Sequence, residues 1–384
     1  MRYPQLDAVR GLAALAVVLG HVLYAGLGSG DSGTARAAEA IYNSTHETPL
    51  HVLYAGNEAV LIFFVLSGFV LHLMVARMQD SRRWDYLKYA AKRVVRLWPA
   101  YAAAVLMSAL LSTLTSATPI HQSGEWIRTF WREPVTISIL AQHLGMVGVF
   151  DTDALDFSIW SLVHEMRISL LFPLIYWTVT RLPALVNLGL YGALSAAVAT
   201  VFLDRSGAPN LSDLLLTLHY LLPFALGALI AQHREQATRW LEDNRPVWWS
   251  MLALALVSIA YGGGLLSAEH TNVVTRDYWV LPGAALLVML VLASLTAERM
   301  LSARPLQFLG RISYSLYLIH PVVLLGLLNL AQPALPQSVV LLLVPVASVL
   351  AAWGLYVLLE LPSIQVAGRI GGARVEAGLP VSAP

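Results

Sequence analysis

DAVRGLAALAVVLGH, residues 7–21, opens an apolar segment that carries Asp7 and Arg10 near its start and His21 in its interior. A helix advances about 1.5 Å and 100° per residue, so Arg10 and His21 stand roughly 16 Å apart along the axis with a net rotation of about 20°. Both side chains lie on one stripe, Arg10 near one membrane surface and His21 deep inside. Polar groups at that depth are costly and mark functional positions. The stripe needs a partner or a substrate, and neighbouring helices have to frame it.

The rest of the chain supplies those helices. Of its 384 residues, 57% are hydrophobic and only 12% charged, against about 25% charged in an ordinary soluble domain. This composition belongs to an all-α polytopic transmembrane bundle. About ten spans are expected, beginning near Ala8, Ala59, Trp98, Ser158, Ala184, Leu211, Val247, Tyr278, Ser313 and Val339. One membrane domain is expected over residues 1–363, followed by a short Gly/Ala/Pro tail over 364–384. There is no cysteine, which excludes a disulfide, a thiolate nucleophile and a Cys-based metal site. Neither a metal nor a nucleic-acid partner is expected.

The basic residues are distributed unevenly between the two faces. Of the 24 Lys and Arg, 17 fall on one face: Arg2, Arg77, Arg82, Arg83, Lys88, Lys92, Arg93, Arg96, Arg181, Arg234, Arg239, Arg245, Arg299, Arg304, Arg311, Arg369 and Arg374. The other face holds Arg36, Arg128, Arg132, Arg205 and Arg276, while Arg10 and Arg167 lie inside spans. The positive-inside rule then places both termini in the cytoplasm. If the apolar stretch 134–150 crossed the membrane, it would invert every later loop and reverse this bias, so it is expected to be an outer interfacial or re-entrant segment. Reading the first span as a cleaved signal peptide would remove the Arg10/His21 stripe, and its start carries only Arg2.

Depth along these spans brings three titratable groups to one layer: His21, Glu165 and His320. A reaction centre needs such convergence. Each also has a plainer reading. His320 precedes Pro321 and could cap backbone groups freed by it. Glu165 could neutralise Arg167, although residues two apart on a helix face different ways. Phe63 and Ser67 lie one turn apart beside Gly68, forming either a packing notch or a narrow passage for a slim chain. Lys92, Arg93 and Arg96 are either a topology anchor on anionic lipid or a phosphate-binding cluster, since guanidinium forks hold phosphate oxygens in pairs.

Taken together and in order, these motifs resemble the acyltransferase 3 family of integral membrane acetyltransferases. LDAVRGLAALAVVLGH resembles its Arg–His first span, FFVLSGFV its second-span motif and KRVVRLWPAY its basic element. WSLVHE followed by LLFP, and LGRISYSLYLIHP, resemble its later motifs. The chain departs from the commoner pattern after Glu165, where it reads Met166, Arg167, Ile168 and Ser169. The resemblance implies a multi-pass enzyme of the bacterial cytoplasmic (inner) membrane, surrounded by membrane lipids. It implies transfer of an acyl group, usually acetyl, from cytoplasmic acetyl-CoA to a hydroxyl of a carbohydrate or lipid-linked glycan of the cell envelope, or of an exported glycosylated compound. Arg10, Lys92, Arg93 and Arg96 would then hold the CoA, whose arm would thread past Phe63, Ser67 and Gly68. His21 would act as general base, oriented or charge-stabilised by Glu165 or His320. The expected route is direct transfer, with an acyl-histidine or an acyl-Ser67 intermediate as the alternatives. The rival expectation is a proton-coupled carrier of a sugar or small polar solute, because midplane His and Glu also mark such proteins.

Overall fold

Apolar segments of this length become helices because a backbone surrounded by hydrocarbon has to satisfy its own hydrogen bonds. The computed structural model describes residues 3–80, 84–115, 124–204, 209–262, 273–331 and 334–370. Arg2, Arg82, Arg83, Arg205, Arg374 and the tail from residue 371 onward lie outside the described residues. In chain order the helices are α1 (Pro4–Gly26), α2 (Ser32–Thr45), α3 (Gly56–Asp80), α4 (Tyr86–Thr115) and α5 (Ile137–Gly145). They continue with α6 (Trp160–Arg181), α7 (Ala184–Asp204), α8 (Pro209–His219), α9 (Leu221–Asp243) and α10 (Arg245–Tyr261). The last are α11 (Val273–Leu292), α12 (Leu295–Leu301), α13 (Arg304–Ala331), α14 (Gln337–Leu355) and α15 (Leu361–Ile370). No strand occurs among the described residues.

Eight helical stretches among the described residues are long and apolar enough to cross a membrane. They account for eight of the ten expected spans. The other two also fold as helices: α6, whose apolar run is broken by His164, Glu165 and Arg167, and α10, which has 17 residues. The stretch 134–150 contains only α5, nine residues long, which at about 1.5 Å per residue is too short to span. The helix α15 carries regular structure through the expected 363/364 boundary as far as Ile370.

Two glycine-lined crossings fix the centre of the bundle. A Cβ on Gly11 of α1 would strike the backbone at Gly310 of α13, and one on Gly310 would strike the Asp7 carbonyl. A Cβ on Gly68 of α3 would collide with the Phe224 carbonyl of α9, and one on Gly227 of α9 with the Val65 carbonyl. Small residues let helix backbones approach closely where lipid offers no hydrophobic drive for association. The space beside Gly68 is therefore filled by α9, which corrects the expected passage at that residue. Gly68 is a packing notch, while its neighbour Ser67 faces a cleft between α1, α3, α6 and α13.

Candidate active site

The first element of the site is a histidine pair. His21 Nδ1 lies 2.8 Å from His320 Nε2, and the two rings are within 6° of parallel. The aromatic rings of Phe157 and Trp126 stand 4.9 Å and 5.7 Å from His21 and hold its plane. His320 Nδ1 lies 3.1 Å from the carbonyl oxygen of Leu316, one turn earlier on α13. A carbonyl can only accept, so Nδ1 of His320 carries the proton in that bond. In the neutral ring, Nε2 is then an acceptor, and His21 Nδ1–H donates to it. This leaves the lone pair on His21 Nε2, the tautomer of a general base. Pro321 lacks the N–H that would pair with the Tyr317 carbonyl, and Ser158 Oγ lies 3.1 Å from that carbonyl.

The second element is the cleft, with Arg10, Phe63, Ser67, Ser161, Glu165 and Tyr317 in its lining. Ser313 and Tyr317 line it from α13, and His320 follows Tyr317 by one turn on the same stripe of that helix. Glu165 does not join the pair. Its Oε1 accepts from Ser67 Oγ at 3.0 Å and from Arg93 Nη2 at 3.3 Å. The expected partnership of Glu165 with His21 is replaced by a brace between α3, α4 and α6, because the next available charge is that of Arg93.

The basic cluster divides for the same reason. Arg93 is 5% exposed and also donates to Ser169 Oγ at 2.9 Å. Its charge is committed to Glu165, so it fits structural bracing better than phosphate binding. The side chains of Arg10, Lys92 and Arg96 are only half-buried, and their charged groups have no hydrogen-bond or ion-pair partner among the described residues. Arg10 and Arg96 lie within electrostatic reach of Glu360. This buried carboxylate sits at the end of a π-helical turn (Tyr356–Glu360) and accepts from Ser315 Oγ at 2.6 Å. π-Turns occur often at functional sites. Only the backbone irregularity marks Glu360, and no periodicity in the sequence points to it.

Arg167 sits where the chain departs from the commoner pattern, and it belongs to a separate network. It donates to Asp213 Oδ2 at 2.7 Å, to Thr217 Oγ1 at 3.0 Å and to the Val147 carbonyl at 3.0 Å, and it also bonds the Gly148 carbonyl. It thereby ties the segment after α5 to α6 and α8. Replacing Asp213 with Ala leaves this charge short of its partner. Because Asp213 is partly exposed, water replaces some of the loss, and the expected cost is about 1.5–3 kcal/mol. A thermal melt of the purified variant in detergent checks it, and an unchanged midpoint would contradict the assignment. Nearby, Ser195 Oγ lies 2.6 Å from His219 Nδ1, and His219 Nε2 lies 3.4 Å from Asp277 Oδ2. Ser195 is 0% exposed, so this set fastens α7, α8 and α11 instead of presenting a nucleophile.

Comparison with known proteins adds the family. The sequence profile of the acyltransferase domain matches residues 3–358. An uncharacterised protein of Haemophilus influenzae is 30% identical over 119 residues, covering 30% of this chain and 46% of that protein. The acyltransferase MdmB of Streptomyces mycarofaciens is 28% identical over 188 residues, covering 48% of this chain and 41% of its own. Each match spans less than half of the relative's length. No solved structure matches the chain.

Proposed function

Because the chain belongs to the acyltransferase 3 family, we propose that it is a membrane O-acetyltransferase taking acetyl from cytoplasmic acetyl-CoA. In this reading the acceptor is a sugar hydroxyl of a cell-envelope glycan or an exported glycosylated compound, and the membrane is the bacterial cytoplasmic one. The observation that carries the proposal is the directed chain from the Leu316 carbonyl through His320 to His21. It leaves His21 Nε2 able to take a proton, and His320 stands one turn of α13 beyond Tyr317, which lines the same cleft as Arg10.

Arg10, Arg96 and Lys92 hold the phosphates of the donor, since their charges have no ion-pair partners among the described residues. Phe63 and Tyr317 flank the cleft in which the acyl-bearing arm lies. His21 Nε2 removes the proton of the acceptor hydroxyl as its oxygen attacks the thioester carbonyl. The resulting imidazolium still donates from Nδ1 to His320 Nε2, which stabilises its charge. His21 then returns the proton to the departing thiolate, giving CoA and an acetyl ester. Without cysteine in the chain, no acyl-thioenzyme can form.

The donor-binding half is tested by Arg10→Ala and Arg96→Ala. Each removes charge-assisted contacts worth about 1.5–3 kcal/mol, so the Kd for acetyl-CoA rises about tenfold to a hundredfold. Calorimetry on the purified protein reads this directly. Wild-type affinity in both variants would reduce these arginines to lipid anchors.

A further inference from the structure

The cleft contains several hydroxyls, and nearly all have spent their protons. Ser67 donates to Glu165, Ser313 Oγ donates to the Gly310 carbonyl at 3.0 Å, and Tyr314 Oη donates to the Leu97 carbonyl at 2.8 Å. The remaining pair is Ser161 and Tyr317, whose oxygens are 2.7 Å apart. Two protons serve that pair, and Ser161 Oγ has two acceptors in reach, the Ser158 carbonyl at 3.3 Å and the closer Tyr317 Oη. When Ser161 donates to Tyr317, the phenol proton is left for a group in the cleft.

Tyr317 is also the residue that joins the two halves of the site. Its ring stands 5.6 Å from Phe63 on the cleft side and 5.9 Å from His320 on the other. Tyr317 precedes His320 by one turn of α13, about 4.5 Å of rise. Its main chain is held where Pro321 withdraws the usual helical bond. Ser158 Oγ shares its one proton between the Tyr317 carbonyl at 3.1 Å and Asp156 Oδ1 at 2.8 Å, and His320 also bonds the Tyr317 backbone. The side chain is therefore placed before any substrate arrives, as preorganised stabilisation of developing charge requires.

Resting on the acyl-transfer reading above, we propose that Tyr317 is a catalytic residue, donating from Oη to the thioester carbonyl oxygen as it becomes an oxyanion. The acceptor O–H bond breaks and its proton passes to His21 Nε2 while the new C–O bond forms. The carbonyl electron pair moves onto oxygen, where the Tyr317 hydroxyl holds it. Collapse restores C=O and breaks C–S, and the thiolate takes the proton back from His21. Tyr317 keeps its own proton throughout.

The test compares wild type with Tyr317→Phe in lipid nanodiscs, using radiolabelled acetyl-CoA as donor and decyl glucoside as hydroxyl probe. The phenylalanine keeps the ring packing and removes only Oη. Loss of one oxyanion donor lowers kcat by about 10²–10³-fold, with donor Kd and melting temperature unchanged. Transfer within about threefold of wild type, well short of that loss, overturns the inference and leaves the acyl-transfer reading standing. A rise in donor Kd with kcat preserved at saturation also overturns it, since Oη would then serve binding alone. If wild type itself moves no label to the glucoside, the parent reading fails first. Should Tyr317→Phe fail to fold, a fluorinated tyrosine at position 317 keeps the bond and makes the phenol more acidic. An altered kcat at unchanged Kd then supports the inference, and an unchanged kcat overturns it.

Discussion

His21→Gln transfers acetyl about 10²–10⁴-fold more slowly than wild type while binding acetyl-CoA as tightly. The expectation follows from the direction of the hydrogen bonds. The Leu316 carbonyl fixes the proton on His320 Nδ1, His320 Nε2 fixes the proton on His21 Nδ1, and the base is what remains. Glutamine can donate to His320 in the same place but cannot take a proton at neutral pH. Packing against Phe157 and Trp126 is largely preserved, so a loss of rate is chemical. Donor affinity is expected to be unaffected because the proposed phosphate contacts are those of Arg10 and Arg96, and Arg10 stands roughly 16 Å away along α1. A capping role for His320 is compatible with the pair, since its ring bonds the backbone at Leu316 and at Tyr317, whose carbonyl Pro321 frees, and leaves Nε2 to His21. Single-turnover transfer at saturating acetyl-CoA, with affinity measured in parallel, reads both quantities. Near-wild-type transfer by His21→Gln would make the histidine structural.

Gly227→Leu gives no folded protein, whereas Gly189→Leu is tolerated. The Cβ of any side chain at Gly227 falls on the Val65 carbonyl, a backbone atom that cannot swing aside. Gly68 meets the α9 backbone in the same crossing, so α3 and α9 would have to part along their length. Overpacking against movable side chains already costs about 1–3 kcal/mol, and here the obstruction is main chain on both sides. A Cβ at Gly189 meets nothing within 4 Å, so that position controls for added bulk and hydrophobicity. Yield of monodisperse protein after detergent extraction distinguishes the two. Normal recovery of Gly227→Leu would mean that α3 and α9 are not in contact as described.

Much of this arrangement is legible from spacing along single helices. Eleven residues put Arg10 and His21 on one stripe, and the apolar runs mark the helices that surround it. Spacing also reveals that Tyr317 shares a face with His320. What spacing cannot reveal is which partner reaches a charge first. Arg93 and Arg96 look equivalent in the sequence, yet α6 presents Glu165 and Ser169 to Arg93 alone. Depth along a helix gives height and not azimuth, which is why Glu165 shares a layer with His21 without meeting it. Gly68 reads equally as passage or notch until α9 is seen filling it. Glu360 stands on a π-turn, where helical phase shifts and a face assigned by counting is lost.

In the proposed reaction acetyl moves from a donor on the cytoplasmic face to a sugar hydroxyl through His21. The most direct measurement places purified wild type in sealed vesicles with doubly labelled acetyl-CoA and a labelled glycoside, and follows both labels. The expected result is acetyl label on the glycoside, formation of one CoA per ester, no net glycoside flux and loss of transfer in His21→Gln. Proton-dependent movement of intact glycoside without acetylation would contradict it and assign the buried histidines to transport.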